Sequence, residues 1–347
     1  MNAAGLNSRV IRPDQLRDDE IAAWEDLCDA HQHLHSPFFS PHYAMAVASV
    51  KPGVRVCILR RGRKIVGFFP FQYRSSASQL LGSAERVGAE MTDYFGVIAE
   101  PDVRVAQEDL LRLAGLRYLY FTHLDETQSS YGLHGEQPES GLFLKLEGHE
   151  DYWNGEVRQR NPKLYAETNR LERVAEKTYG PLRFCFREEA WQEPLELLIQ
   201  NKRRQYAQTC SNDALAQPWH RNLLAQLAAT RGRTCTGVLS TLYAGDTWLA
   251  SHMGLHSGQV FHYWFPVYNT EMKRFSPGRL LEKWIIQHAP GLGLRLLDHG
   301  AGDTQRKRQL TNSEHLYYRG DWHRPGVRGT ACRISQAAQW RFGFNLF

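Results

Sequence analysis

The last third of the chain holds the residues best suited to group-transfer chemistry. His252, His262 and Asp298 are of types that accept a proton, and Tyr268 could return one to a leaving group. His252 shares a strand face with Trp248, Ala250 and His256, and His262 shares a parity with Trp264 and, past Pro266, with Tyr268. A histidine in such a strand is as readily a satisfied structural residue, and Tyr268 as readily a core-edge aromatic. Asp298 has the stronger position, at the end of a short apolar strand and ahead of Gly300 and Gly302.

A second feature lies between them. Ser276 reads as an N-cap, Pro277 as the first helical residue, and Gly278 as a point where a ligand can approach bare backbone. Unpaired N–H groups at Gly278, Arg279 and Leu280 would point out of that helix start, toward the positive end of its dipole. With Lys273, Arg274 and Arg279 beside them, the arrangement suits a diphosphate. Neither the P-loop nor the dinucleotide fingerprint is present, so an ordinary capped helix with nearby cations would give the same pattern.

The elements that must position these residues follow from periodicity. Val260–Tyr268 is an aromatic-rich strand, and Pro266 predicts that it bulges or parts from a neighbour there. Asn269–Phe275 is a loop, and Pro277–Ala289 a helix with Leu280, Leu281, Trp284 and Ile285 on one face. Leu292–Leu297 is a short strand. Upstream, Thr234–Ala244 and Thr247–His256 form a hairpin around Gly245-Asp246. Helices are expected over 191–208 and 220–230, a basic-rich one over 158–177, and a short one over 304–311. Glu167, Glu172 and Glu176 dilute any cationic stripe on the basic helix.

The segment 260–303 resembles the acyl-CoA-binding core of GNAT acyltransferases, in the CelD-like branch of cellulose and exopolysaccharide biosynthesis. The residues carrying the resemblance are Tyr268, Asn269 and Glu271, then Ser276-Pro277-Gly278-Arg279-Leu280-Leu281, then Asp298-His299-Gly300-Ala301-Gly302-Asp303 and Lys307. Two residues depart from the pattern: Asn269 replaces an acid, and Arg306 replaces the tyrosine that usually precedes Lys307. The resemblance implies acetyl-CoA or another acyl-CoA as donor, and Lys307 as a further anion-binding residue. No metal is implied. The acceptor would be an amine or hydroxyl of a small molecule or, as the resemblance implies, of a saccharide, and direct attack on the thioester without an acyl-enzyme is expected from the absence of an activated nucleophile. The oxyanion hole would come from backbone N–H groups near Phe265 and Val267, where the strand parts. No serine or cysteine sits in a nucleophile elbow.

The implied fold is α/β (α+β), a tandem of GNAT-like domains, each a mixed central sheet flanked by helices. Residues 1–145 would be a first domain without cofactor, and 146–347 would carry the acyl-CoA site. Strands at Val54–Leu59 and Ile65–Gln72, with Gly62 in their turn, support that first domain. So do Phe95–Ala99, a helix over 107–115 and the strand Leu116–Leu124. Residues 125–140 read as a surface loop, and Leu142–Leu146 and Tyr317–Trp322 as later strands.

Composition narrows the alternatives. The 347 residues have ordinary apolar content and a formal net charge of +5, which is mild enough to require no polyanionic partner. Six scattered cysteines form no CxxC pair, and no stretch approaches the apolar length of a membrane span. A cytoplasmic protein is expected, with no nucleic-acid partner, although an acyl carrier protein could deliver the donor. His31, His33 and His35 would scatter around a helix end, so they read as a polar terminus and not a metal site. Two rival readings stay open. One is a Fem-like transferase fed by aminoacyl-tRNA. The other is a non-catalytic acyl-CoA-binding protein.

Overall fold

The computed structural model describes residues 5–149 and 151–326. They form two compact units, one of residues up to Ser140 together with those from His315, the other of Gly141–Glu314.

The first unit builds a mixed sheet from β1 (Leu6–Ile11), β2 (Val54–Arg61), β3 (Lys64–Gln72), β4 (Ser83–Glu85), β5 (Ile98–Ala99) and β6 (Tyr118–Asp125). The β2–β3 hairpin is the expected one, and its tight turn needs Gly62, whose φ is 63°. β4 runs parallel to β6, whereas β1–β2, β2–β3 and β3–β5 pair antiparallel. Buried Phe69, Phe71, Phe95 and Phe121 fill the core beneath. The stretch read as a surface loop instead contains a 3-10 helix, Glu126–Tyr131, which buries Gln128 and Tyr131. Gln128 is tied to the Val97 backbone through both its side-chain oxygen and nitrogen. Polar letters concealed that anchor. At the histidine cluster, His33 pairs with the Tyr131 hydroxyl at 2.7 Å and His35 with the Asp29 carbonyl at 3.2 Å. Among the described residues no His/Cys/Asp/Glu group is arranged to hold a metal ion.

The second unit contains β7 (Gln137–Lys145, from Gly141 onward), β8 (Leu182–Cys185), β9 (Thr236–Ala244), β10 (Thr247–Ser257), β11 (Val260–Tyr268) and β12 (Leu296–Ala301). Its strand order is β8-β9-β10-β11-β12-β7. β8 to β11 are antiparallel neighbours, β11 and β12 are parallel, and β12 is antiparallel to β7. The last strand, β13 (Ser313–His323), returns to the first unit and pairs antiparallel with β6, Tyr317 opposite Asp125 through His323 opposite Tyr118. A boundary at 145/146 with everything later in one domain therefore differs from the described structure. The backbone of β13 satisfies itself against β6, a pairing that local sequence does not encode. Each unit thus contains antiparallel strands and one parallel pair, flanked by helices. That is the mixed-sheet tandem architecture expected of GNAT-like domains.

No helix among the described residues is long and apolar enough to cross a membrane.

Candidate functional site

The site begins where β11 hands over to the helix Pro277–His288. Asn269 accepts the Glu271 N–H at 3.1 Å, capping a 3-10 turn over Thr270–Phe275, and donates to the Trp248 carbonyl at 3.1 Å. The residue that departs from the resemblance thus pins this loop to β10. Ser276 then adopts a left-handed conformation, φ 50° and ψ 52°, and its side chain makes no capping bond. This corrects the expected N-cap. The Ser276 carbonyl instead takes both the Arg279 N–H at 2.9 Å and the Leu280 N–H at 3.1 Å. Of the three N–H groups expected to be open, Ser276 leaves only that of Gly278. A left-handed serine costs about 1–2 kcal/mol, and such outliers gather at functional sites.

The helix is held firmly from its other face. Leu280, Leu281, Ile285 and Ile286 are buried in the core of the unit, and burying each side chain is worth about 1.5–3 kcal/mol. Glu172, on the helix Pro162–Tyr179, accepts from both Lys283 and the Trp284 indole N–H. Lys283 also lies 5.7 Å from the Trp153 ring centre. Glu172→Ala would leave the Lys283 ammonium, 6% exposed, without its carboxylate. We expect a loss of about 3 kcal/mol, measurable as a lower urea midpoint; an unchanged midpoint would show that the pair does not fix the helix.

A cavity of about 230 Å³ opens at the helix start. Tyr268, Lys273, Ser276, Gly278 and Arg279, all sequence candidates, line it. Arg306 and Glu282 join them, with Leu164, Pro277, Gln309 and Leu310 completing the wall. The Arg306 guanidinium lies 3.2 Å from where a Cβ on Gly278 would sit, so it covers the bare backbone. Glu282 is one turn further along the helix. Its carboxylate is 4% exposed, 3.4 Å from His299 Nε2 and 4.0 Å from Arg306. Burial pushes its pKa up to about 7, against the pull of Arg306, Arg279 and Lys307. Burial, with Lys307, pushes His299 down to about 3, so His299 is neutral.

The other candidates are placed elsewhere. Arg274 lies over the Phe275 ring and bonds the Tyr179 hydroxyl at 3.3 Å. Lys307 Nζ bonds the Ala301 carbonyl at 2.7 Å, outside the cavity wall. Leu280, Phe265 and Val267 are buried core. β11 does not part from β10 at Pro266, which stays opposite His252, and the register continues to Tyr268. The parting is from β12, whose parallel pairing with β11 ends at His262 and Asp298.

Asp298 also differs from expectation. Gly293, at φ 72°, turns the chain first, so β12 starts at Leu296 and Asp298 sits mid-strand with no exposure. Its Oδ1 accepts the Gly300 N–H at 2.7 Å, and its Oδ2 lies 3.0 Å from His262 Nδ1. His252 is equally buried. Its Nε2 accepts the Trp264 N–H at 2.8 Å, which assigns the proton to Nδ1. Burial, then His262, His299 and Lys202, hold its pKa well below the usual histidine range. Between Met253 and Leu255 the register shifts by a bulge in β11, Tyr263 and Trp264 facing the single Gly254, which must be glycine because a side chain there would run into this imidazole. Lys202 donates to the Pro266 carbonyl at 2.8 Å, and burial, aided by Arg306, lowers its pKa to about 8.

Glu282 and Arg306 were not selected from the sequence. Glu282 had a signal, since it lies four residues after Gly278 and so on the same helical face. Arg306 stood out only as a departure from the pattern.

Residues 162–308 match the acetyltransferase (GNAT) domain family. No curated protein sequence matches the chain. Among solved structures, FemX is similar at 8% identity and a TM-score of 0.61, over 94% of this chain and 99% of that one. The C-terminal domain of a provisionally assigned lysylphosphatidylglycerol synthetase from Agrobacterium fabrum is similar at 11% identity and a TM-score of 0.53. Coverage there is 92% of this chain and 96% of that one. A tandem GNAT protein from the clavulanic acid biosynthesis pathway aligns at 12% identity, over 93% and 99% of the two chains, with a TM-score of 0.49. At such identities the first two likenesses show the fold alone. Residues 162–308, which match that acetyltransferase domain family, include the cavity's cations, the helix start and all of its lining except Gln309 and Leu310.

Proposed function

We propose that the chain is an acyltransferase that moves an acetyl or other acyl group from acyl-CoA to an amine or hydroxyl. The observation that carries this is the cavity at the start of the Pro277–His288 helix, where Lys273, Arg279 and Arg306 surround the Gly278 backbone within the matched domain. At about 230 Å³ it is smaller than the ~300 Å³ lower end for a whole ligand site. It would therefore enclose only the diphosphate part of a large donor.

Tyr268 lines the cavity and is assigned to the donor. The His262–Asp298 pair lies wholly buried at the end of the parallel pairing, and His252 supports the bulge opposite. We assign these three as residues that shape the cleft, with the acceptor attacking the thioester directly. The resemblance to the CelD-like branch suggests a polysaccharide sugar or its precursor as acceptor, at the cytoplasmic face. The division into a cofactor-free first unit and a donor-binding second unit belongs to the same reading.

A Fem-like transferase is the second reading, favoured by the fold likeness to FemX over nearly the whole chain. Thiol release from acetyl-CoA, measured across a panel of amines and sugars, separates the possibilities. Acceptor-dependent release supports acyl-CoA transfer. Binding with no release across the panel favours a non-catalytic acyl-CoA protein. Neither binding nor release favours another donor.

A further inference from the structure

Tyr263 is a buried polar residue to which the reading above gives no role. Its side chain lies in the second unit's core, with the residue 7% exposed, and its hydroxyl has no hydrogen-bond partner among the described residues. A buried hydroxyl left unpaired is unfavourable, and a phenylalanine would keep the ring without that penalty. The ring is also held unusually firmly. It stacks on His252 at 4.1 Å and 5°, and its other neighbour, the tilted ring of His299, lies 5.1 Å away at 33°. His252 is itself fixed by the Trp264 N–H, and His299 by its position beside Glu282.

Its place in the sheet gives this hydroxyl a use. The parallel pairing of β11 and β12 ends at His262 and Asp298, so Tyr263 is the first residue of β11 beyond it. The charged groups that act on its hydroxyl are Glu282 and Arg306, both on the cavity wall. Tyr268, also on that wall, lies further along the same strand, about 17 Å away at ~3.3 Å per residue. The pantetheine arm between diphosphate and sulfur has about as many bonds as four peptide residues, roughly 14 Å extended. Extended, the arm covers most of that separation, and the Tyr263 side chain, whose hydroxyl feels Glu282 and Arg306 on the cavity wall, covers the rest.

We propose that the Tyr263 hydroxyl donates a hydrogen bond to the thioester carbonyl oxygen of the bound donor, and to the oxyanion that develops there. This rests on the acyl-CoA reading. In the step itself the acceptor's lone pair forms a bond to the carbonyl carbon, the C–S bond breaks, the sulfur leaves with the electron pair, and the proton shed by the acceptor passes by way of solvent to the thiolate, giving the free thiol. Tyr263 keeps its proton throughout. Burial, reinforced by Glu282, holds the phenol well above its ordinary pKa, as a lasting donor requires. A preorganised donor aimed at a developing oxyanion is worth about 100-fold or more in rate.

Tyr263→Phe removes only the hydroxyl. Two readouts on wild type and variant test the assignment: acetyl-CoA affinity by calorimetry, and the carbonyl stretch of bound acetyl-CoA labelled with carbon-13 at the carbonyl. The expected result is a melting temperature equal to or above that of wild type, acetyl-CoA affinity lowered by no more than about tenfold, and the band at higher frequency in the variant. Any thiol release seen with wild type should fall about 100-fold. A band at the same frequency in both proteins overturns the assignment while leaving the acyl-CoA reading intact. Failure of wild type to bind acetyl-CoA overturns both, and calorimetry detects that separately.

Discussion

Gly278→Glu is expected to weaken acyl-CoA binding about 100-fold while the protein remains folded. The fold should tolerate the change, because a Cβ at 278 meets only the end of the Arg306 side chain at 3.2 Å and Tyr268 Cδ1 at 3.7 Å. Replacing a helical glycine gains about 0.5–1 kcal/mol, and an acid in the first turn complements the helix dipole. Binding should not tolerate it. A carboxylate about 5 Å from a diphosphate charge is repelled by about 3 kcal/mol at an effective dielectric of 20, roughly two orders of magnitude in affinity. Gly278→Ala is the control, and its smaller intrusion displaces only a flexible guanidinium. Calorimetry with acetyl-CoA reads both variants. A folded Gly278→Glu protein that binds as wild type would remove the cradle from the account.

The second large effect is on stability, through Glu282. Its pKa is raised from an ordinary 4.5 to about 7 in the folded protein, chiefly by burial. Between those values the folded state holds a proton that the unfolded state has released. Stability is therefore greatest below pH 4.5 and declines as pH rises toward 7, by about 3 kcal/mol in all. Glu282→Gln cannot ionise. The variant should flatten this part of the pH–stability curve and be more stable than wild type at pH 8, by up to about 3 kcal/mol. Urea unfolding at pH 5 and pH 8 measures it. Equal pH dependence in the two proteins would mean that Glu282 is ionised and paired across the whole range.

Strong periodicity made much of the second unit legible. The aromatic strand Val260–Tyr268 and the proline-started helix at Pro277 stand where their residues place them. The helix stripe of Leu280, Leu281 and Ile285 packs into the core as read. Three physical causes hid the rest. Ser276 has the composition of a cap, but its left-handed backbone turns its carbonyl, and not its hydroxyl, toward the helix N–H groups. The apolar run ending at Leu297 suggested a strand, yet Gly293 delays it, and Asp298 enters the sheet because Gly300 and His262 lie against it there.

Lastly, β13 pairs with a strand nearly two hundred positions earlier, which no local pattern can reveal. The cavity was half legible. Tyr268, Lys273, Gly278 and Arg279 follow from the helix start, whereas Leu164, Gln309 and Leu310 reach it only through tertiary packing.

The central claim is that the Pro277–His288 helix start holds the diphosphate of an acyl-CoA. Thermal unfolding with CoA, acetyl-CoA and longer acyl-CoAs tests it most directly, with phosphate-free pantetheine as the comparison. At about 100 times its dissociation constant a bound donor adds about 2.7 kcal/mol, or roughly 5–10 °C for a unit of this size. The account predicts that rise with every CoA species and none with pantetheine. No rise with any of them, or an equal rise with pantetheine, would contradict it.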